Sequence, residues 1–319
     1  MNALLINENR FILDELINKS LISVMSKATK ICHSKEPQEP DYIALLTTDF
    51  TKNLFNILKL IFPQYEFSVS GVYCHQKPIV NIKKDKNPEL GDLLLVYAEH
   101  NRNDEVLYNS LLLQAKITER PVLKINKAES HQLELYIRWP EFTYCRAGSL
   151  NGKKRNILPK TINDGAQYLL IDDNPITNGI LHNKCTYPMA CATPASTLYI
   201  DNPFSTEIIN FLKFKAGRTF NDLNGFNSDE LDDWSKMIWD LLYIASAKYS
   251  TRKNIDSKFA RKITYGNEFL NCSTKYFEND NLLYNLANNK NFCNKDDIHV
   301  SEDSSGVPTI IIESFFREQ

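Results

Sequence analysis

An aspartate opens one apolar run of this sequence, and a Gln-Ala-Lys triplet closes the next. Gly91-Asp92 leads into Leu93-Leu94-Leu95-Val96-Tyr97, and Ser110-Leu111-Leu112-Leu113 leads into Gln114-Ala115-Lys116-Ile117. There are 21 residues between Asp92 and Gln114, with the polar tip Glu99-His100-Asn101-Arg102-Asn103-Asp104 midway. The two runs therefore predict an antiparallel hairpin that brings Asp92, Gln114 and Lys116 to one sheet edge. On a strand, positions 114 and 116 face one side and Ala115 the other. An amide oxygen and an ammonium then emerge together beside a carboxylate. Phosphodiester hydrolysis needs this mixture: hard oxygens to hold Mg²⁺, and a cation near the attacking water and the charge that develops on phosphorus. Polar residues interrupting a buried run are also costly unless paired or used.

The flanking segments supply a frame. Apolar residues at three- and four-residue steps predict a helix over Met1–Ile31, and a second from about Asp41 to Phe62 that Pro63 stops and that sits against a sheet. Between them lies the polar two-proline linker His33–Pro40. Alternation from Tyr65 to Tyr73 predicts a half-buried strand, and Gln167–Asp172 predicts a buried one. A helix begins near Glu129 and ends at Pro140. Helix, three strands, helix and strand make an α/β layer over about Asp41–Asp172. Beyond it, Ser205–Ala216 and Asp229–Ala247 read as helices, the latter capped by Ser228 or Asp229, and Pro308–Phe315 reads as a closing strand. The chain thus divides into a helix and linker at 1–40, a core at 41–204 and a mostly helical region at 205–319 that ends in a strand.

Composition sets bounds on the chemistry. In 319 residues, 43% are hydrophobic and 24% charged, enough for a real core, so global disorder is excluded. With 37 Lys+Arg against 39 Asp+Glu, any nucleic-acid contact must come from local patches. The expectation is a cytoplasmic protein with no membrane span. Seven scattered cysteines without a CxxC pair read as reduced thiols. No GxSxG, HExxH or GxGxxG occurs, and Gly148–Lys154 falls short of a phosphate loop. Asp172-Asp173 at a strand end is a pair of carboxylates able to bind a metal, but Asn174-Pro175 beside it argues for a turn.

At Asp92 and Gln114-Ala115-Lys116 the sequence resembles the PD-(D/E)xK nuclease superfamily, and more narrowly its Mrr-like restriction endonuclease branch, whose second motif reads QxK. The resemblance covers about Asp41–Asp172. It implies a restriction-endonuclease-like core, a mixed sheet flanked by helices, and a Mg²⁺-dependent DNA endonuclease acting in restriction or antiphage defence, with Mn²⁺ as a substitute metal. The residue matching Asp92 ligates the metal, that matching Gln114 adds an amide oxygen, and that matching Lys116 orients the water. The family's first helix often adds an acid. Here it offers Asp41 and Asp49, of which Asp49 is the expected third ligand, with Asn53 near the same place.

His131 and Gln132 open the following helix and are candidate phosphate contacts, as are Arg146, Lys153, Lys154 and Arg155 in a loop without intervening acid. A second basic cluster is Lys248, Arg252, Lys253, Lys258, Arg261 and Lys262. Trp139, Phe142 and Tyr144, near the first patch, have the ring faces to stack on bases, with core packing the favoured reading. The expected partners are DNA and either a second copy or a defence-system protein. The alternative function is a lapsed nuclease module that binds DNA or a partner without cutting.

Overall fold

The computed structural model describes residues 1–32, 36–75, 77–82, 87–103, 105–161, 165–172, 187–222, 231–249, 254–256, 264–278, 280–288 and 306–317. The chain opens with α1 (Ala3–Glu8) and α2 (Arg10–Cys32), then α3 (Glu39–Leu45), which passes through a π turn at Leu46–Phe50 into α4 (Thr51–Ile61). Next come β1 (Tyr65–Val72), β2 (Ile79–Asn81), β3 (Leu93–His100), β4 (Val106–Ile117), β5 (Val122–Lys124), α5 (Ser130–Arg138), β6 (Phe142–Arg146), β7 (Lys154–Arg155) and β8 (Ala166–Ile171). The rest comprises β9 (Met189–Ala192), β10 (Thr197–Tyr199), β11 (Asn202–Pro203), α6 (Phe204–Leu212), β12 (Arg218–Phe220), α7 (Asp233–Tyr249), β13 (Asn254–Asp256), β14 (Thr264–Asn267), β15 (Phe269–Ser273), α8 (Leu282–Asn288) and β16 (Thr309–Phe316).

The protein is α/β, with a mixed sheet flanked by helices. Among the described residues the central sheet runs β11-β9-β8-β4-β3-β16-β1-β15, with β12 paired to β4. The expected hairpin forms: β3 pairs antiparallel with β4 from Leu93↔Leu113 to His100↔Val106. β8 lies parallel to the far end of β4, from Leu112↔Ala166 to Ile117↔Ile171. β16 inserts between β3, to which it is parallel, and β1, to which it is antiparallel.

Both faces of this sheet are covered. One face, with Leu93, Leu95, Leu113, Ala115 and Ile312, packs in one cluster with Leu13, Ile17 and Leu21 of α2, Leu54 and Leu58 of α4, and Ile208 of α6. The other, with Leu94, Val96, Leu112 and Ile311, packs with Leu135 of α5, Trp234 and Ile238 of α7, and Leu283 of α8. Double coverage explains why the apolar runs are nearly continuous. It also corrects the reading of β1, whose eight residues are all buried and not half-buried. Its inward serines are satisfied sideways, since Ser68 and Ser70 both donate to Oδ1 of Asn271 on β15.

The predicted helix over 41–62 is present but begins earlier and contains the π turn. The hydroxyls of Thr47 and Thr48 donate to the Ala44 carbonyl, and that of Thr51 to the Leu46 carbonyl, so local side-chain bonds accompany the widened turn. α7 is capped by Asp232, whose Oδ1 accepts from the N–H groups of Trp234 and Ser235. The expected caps Ser228 and Asp229 lie outside the described residues. So do Asp173, Cys185 and Cys293, as well as the side chains of the second basic cluster. Residues 205–319 contribute β12, β15 and β16 to the central sheet, and α2 covers one of its faces. Among the described residues, α2 and the strands β12, β15 and β16 thus belong to the same layered core as the central hairpin. Cys32, Cys74, Cys145, Cys191 and Cys272 form no disulfide, and no helix among the described residues is long and apolar enough to cross a membrane.

Candidate active site

Asp92 is the residue just before β3, and its N–H donates to the Leu113 carbonyl across the hairpin, which fixes the register. Gly91 permits the approach. A Cβ there would stand 2.7 Å from Cδ1 of Leu112 and 3.1 Å from the Tyr136 hydroxyl, which itself donates to the Leu90 carbonyl. α5 thereby clamps the turn that presents Asp92.

The carboxylate is fully buried. Its Oδ2 accepts from the Gln114 side-chain amide and from the Ala115 N–H, the latter at 2.7 Å. Its Oδ1 faces the Lys77 ammonium, which also lies 3.2 Å from Oε2 of Glu89. The Oε1 of Gln114 is buried and has no hydrogen-bond partner among the described residues. An orphaned acceptor of this kind costs about 1–3 kcal/mol, so its retention beside a carboxylate is informative. Lys116 emerges two residues further on and pairs with Glu129, in the short 3₁₀ turn that precedes α5.

Asp49 is not part of this arrangement. Its two oxygens accept from Lys27 of α2 at 2.6 and 2.7 Å, so the expected third ligand is engaged with another helix. Asp41 serves as a cap, accepting from the Gln38 N–H at 2.8 Å. The acid at the end of the site strand is Glu39, whose Oε1 accepts from the Ile117 N–H at 3.3 Å. Sequence reading assigned Glu39 to the linker. A signal was available: Pro40 favours the first helical turn, where Pro at N1 or N2 is at home, which moves the helix start ahead of Asp41.

A cavity of about 560 Å³ lies beside these groups, with Glu39, Tyr73, His75, Lys77, Glu89 and Arg146 in its wall. His75 is tied to Glu268, Nε2 to Oε1 at 2.7 Å. Burial, with Asp41, Cys74 and Glu268 nearby, pushes the Tyr73 phenol above its ordinary value and keeps it protonated. Among the described residues no three His, Cys, Asp or Glu side chains converge as a metal cluster. The donors at Asp92 are nonetheless of the hard-oxygen type that a divalent cation takes: one carboxylate and one unused amide oxygen, on side chains in contact, with an ammonium already standing at the carboxylate.

The expected phosphate contacts separate into two groups. Arg146 and Lys154 are exposed, with no ion pair among the described residues. Arg155 and Lys153 instead bind Asp240 of α7, at 2.6 and 3.4 Å. Arg155 is therefore a partly buried strut tied to α7 and not a free surface cation. Gln132 is buried as well, so it is withdrawn as a phosphate contact, while His131 is half-buried at the first turn of α5. Trp139, Phe142 and Tyr144 are core residues as expected.

Asp240 offers a pH test of this strut. Burial raises its carboxyl above the ordinary value, against the opposing pull of Arg155 and Lys153. A carboxyl raised in the fold contributes stability that is fully present below its unfolded pKa and is lost as pH rises through the folded one. Replacing Asp240 by Asn removes that loss. The stability of Asp240→Asn relative to the wild type is expected to improve from pH 3 to pH 7, as read by urea melts at each pH; a constant difference would contradict the assignment.

No family model, curated protein or solved structure matches this chain.

Proposed function

We propose that the protein is a metal-dependent DNA endonuclease with a restriction-endonuclease-like core. The observation that carries the reading is the contact of Asp92 with Gln114 across neighbouring strands, with Lys116 two residues further along the same strand face. The charged cavity beside them supports it. Asp92 and the Oε1 of Gln114 would hold Mg²⁺ or Mn²⁺, and Glu39 is the additional acid at the end of the strand. When bound, the metal supplies Lewis-acid charge to the phosphodiester. Lys116, released from Glu129, places its ammonium where negative charge develops as water attacks phosphorus. Arg146 and Lys154 are the cations left to meet the backbone phosphates. DNA as the substrate, and a role in restriction or antiphage defence with a second copy or partner protein, rest on the family resemblance.

The test is cleavage of plasmid and linear duplex with Mg²⁺ or Mn²⁺. Lys116→Met is expected to slow cleavage by about 10²–10⁴-fold while leaving DNA affinity near that of the wild type. Cleavage at the wild-type rate would remove Lys116 from the mechanism.

A second reading, the lapsed module, is favoured by one observation: both Asp92 and Lys116 are already internally paired, with Lys77 and Glu129. The two readings part on Glu129→Gln. In an active enzyme it alters an existing rate, whereas in a lapsed one it either leaves cleavage absent or creates it from nothing.

A further inference from the structure

Lys77 is the charged group at the site for which the proposed chemistry has no use. It comes from the segment between β1 and β2, and its ammonium sits on Oδ1 of Asp92 while also reaching Glu89 at 3.2 Å. The three partners form a gradient of exposure. The Asp92 side chain is 0% exposed, Lys77 19% and Glu89 44%.

An unpaired carboxylate at full burial is strongly disfavoured, so without another cation the fold needs Lys77 where it is. A divalent cation at the same oxygen makes that ammonium a like charge at contact distance, and the two cannot share the position. Glu89 is the acceptor toward which the ammonium can withdraw, on the solvent side. Both Lys77 and Glu89 line the cavity, with Arg146 also in its wall.

We propose that Lys77 is an internal counter-ion that a divalent cation displaces from Asp92 onto Glu89, so that metal binding at the buried carboxylate and the release of a second ammonium into the cavity are a single exchange. The proposal rests on the metal-dependent reading above. It keeps Asp92 paired in both states and makes metal affinity depend on a residue that is not a ligand. No bond is made or broken; one cation replaces another.

The experiment is calorimetric titration of the full chain with Mn²⁺ alone, in the wild type, Lys77→Met and Glu89→Gln, with thermal melts in chelator and in Mn²⁺. Lys77→Met is expected to bind Mn²⁺ at least about tenfold more tightly, because the competing charge is gone. In chelator it should melt below the wild type, and Mn²⁺ should make up the deficit. Glu89→Gln, a change at a half-exposed side chain, should weaken Mn²⁺ binding by about threefold or more as the displaced ammonium loses its acceptor; it carries the test if Lys77→Met does not fold. Wild-type affinity in both variants would overturn the exchange and leave the metal site standing. No Mn²⁺ binding by any of the three would overturn the exchange and the metal-dependent reading together.

Discussion

Asp92→Ala is expected to abolish metal-dependent cleavage and to cost about 3–5 kcal/mol of stability, the usual consequence of removing one member of a buried ion pair. The two effects have separate origins. Cleavage is lost because the carboxylate that would hold the metal is gone. Stability is lost because the Gln114 amide and the Ala115 N–H lose their buried acceptor and the Lys77 ammonium keeps only the half-exposed Glu89 as a partner. Asp92→Asn separates them. Its carbonyl oxygen still accepts from Ala115, so less stability is lost, yet the charge that recruits a cation is absent and cleavage should remain undetectable. DNA affinity in Asp92→Asn should equal or exceed that of the wild type, since a charge that repels phosphate has been removed. Plasmid nicking, duplex binding in chelator and urea melts together decide the matter. Cleavage by both variants at the wild-type rate would move the active site elsewhere.

Gly71→Ala is expected to leave little folded protein, although it adds one methyl group far along the chain from the Gln-Ala-Lys strand. Gly71 lies in β1 under the π turn, and a Cβ there would stand 1.8 Å from the Thr47 carbonyl oxygen and 2.8 Å from the Thr51 hydroxyl. The obstacle is backbone and cannot rotate away. Relieving it requires the segment between α3 and α4 to lift off the sheet, and α3 carries Glu39. Overpacking at a yielding side chain costs about 1–3 kcal/mol, so a clash with fixed backbone should exceed about 3 kcal/mol. Soluble yield and the urea midpoint are the measurements. A midpoint within experimental error of the wild type would mean that the π turn is not held against β1 as described.

Local features made the hairpin readable. Asp92 and Gln114 could be placed together because two apolar runs, one polar tip and the two-residue repeat of a strand are all encoded within 26 consecutive positions from Gly91 to Lys116. The helix after Glu129 and the strand at Gln167 were readable for the same reason. What the residues meet across the fold was not. Lys153 and Arg155 looked like a surface patch because no acid stands between them, whereas their acid is Asp240, 85 residues beyond Arg155. Asp49 looked available because Lys27 belongs to another helix.

The amino-acid sequence by itself determined the α/β alternation, the apolar content that lets strands be covered on both faces, and the spacing that sets a carboxylate against a Gln-Ala-Lys edge. Only the tertiary structure decided that Ile310, Ile311 and Ile312 sit between β3 and β1 in the middle of the sheet, that Glu39 reaches the end of β4, and that Lys77 neutralises Asp92. The division has a physical cause. Periodicity and capping act between residues a few positions apart, so they leave a local record in the chain. The order of strands in a sheet and the pairing of buried charges depend on which surfaces are buried together over separations of up to two hundred residues or more. An apolar strand such as β16 is compatible with any central slot until its neighbours on both sides are in place.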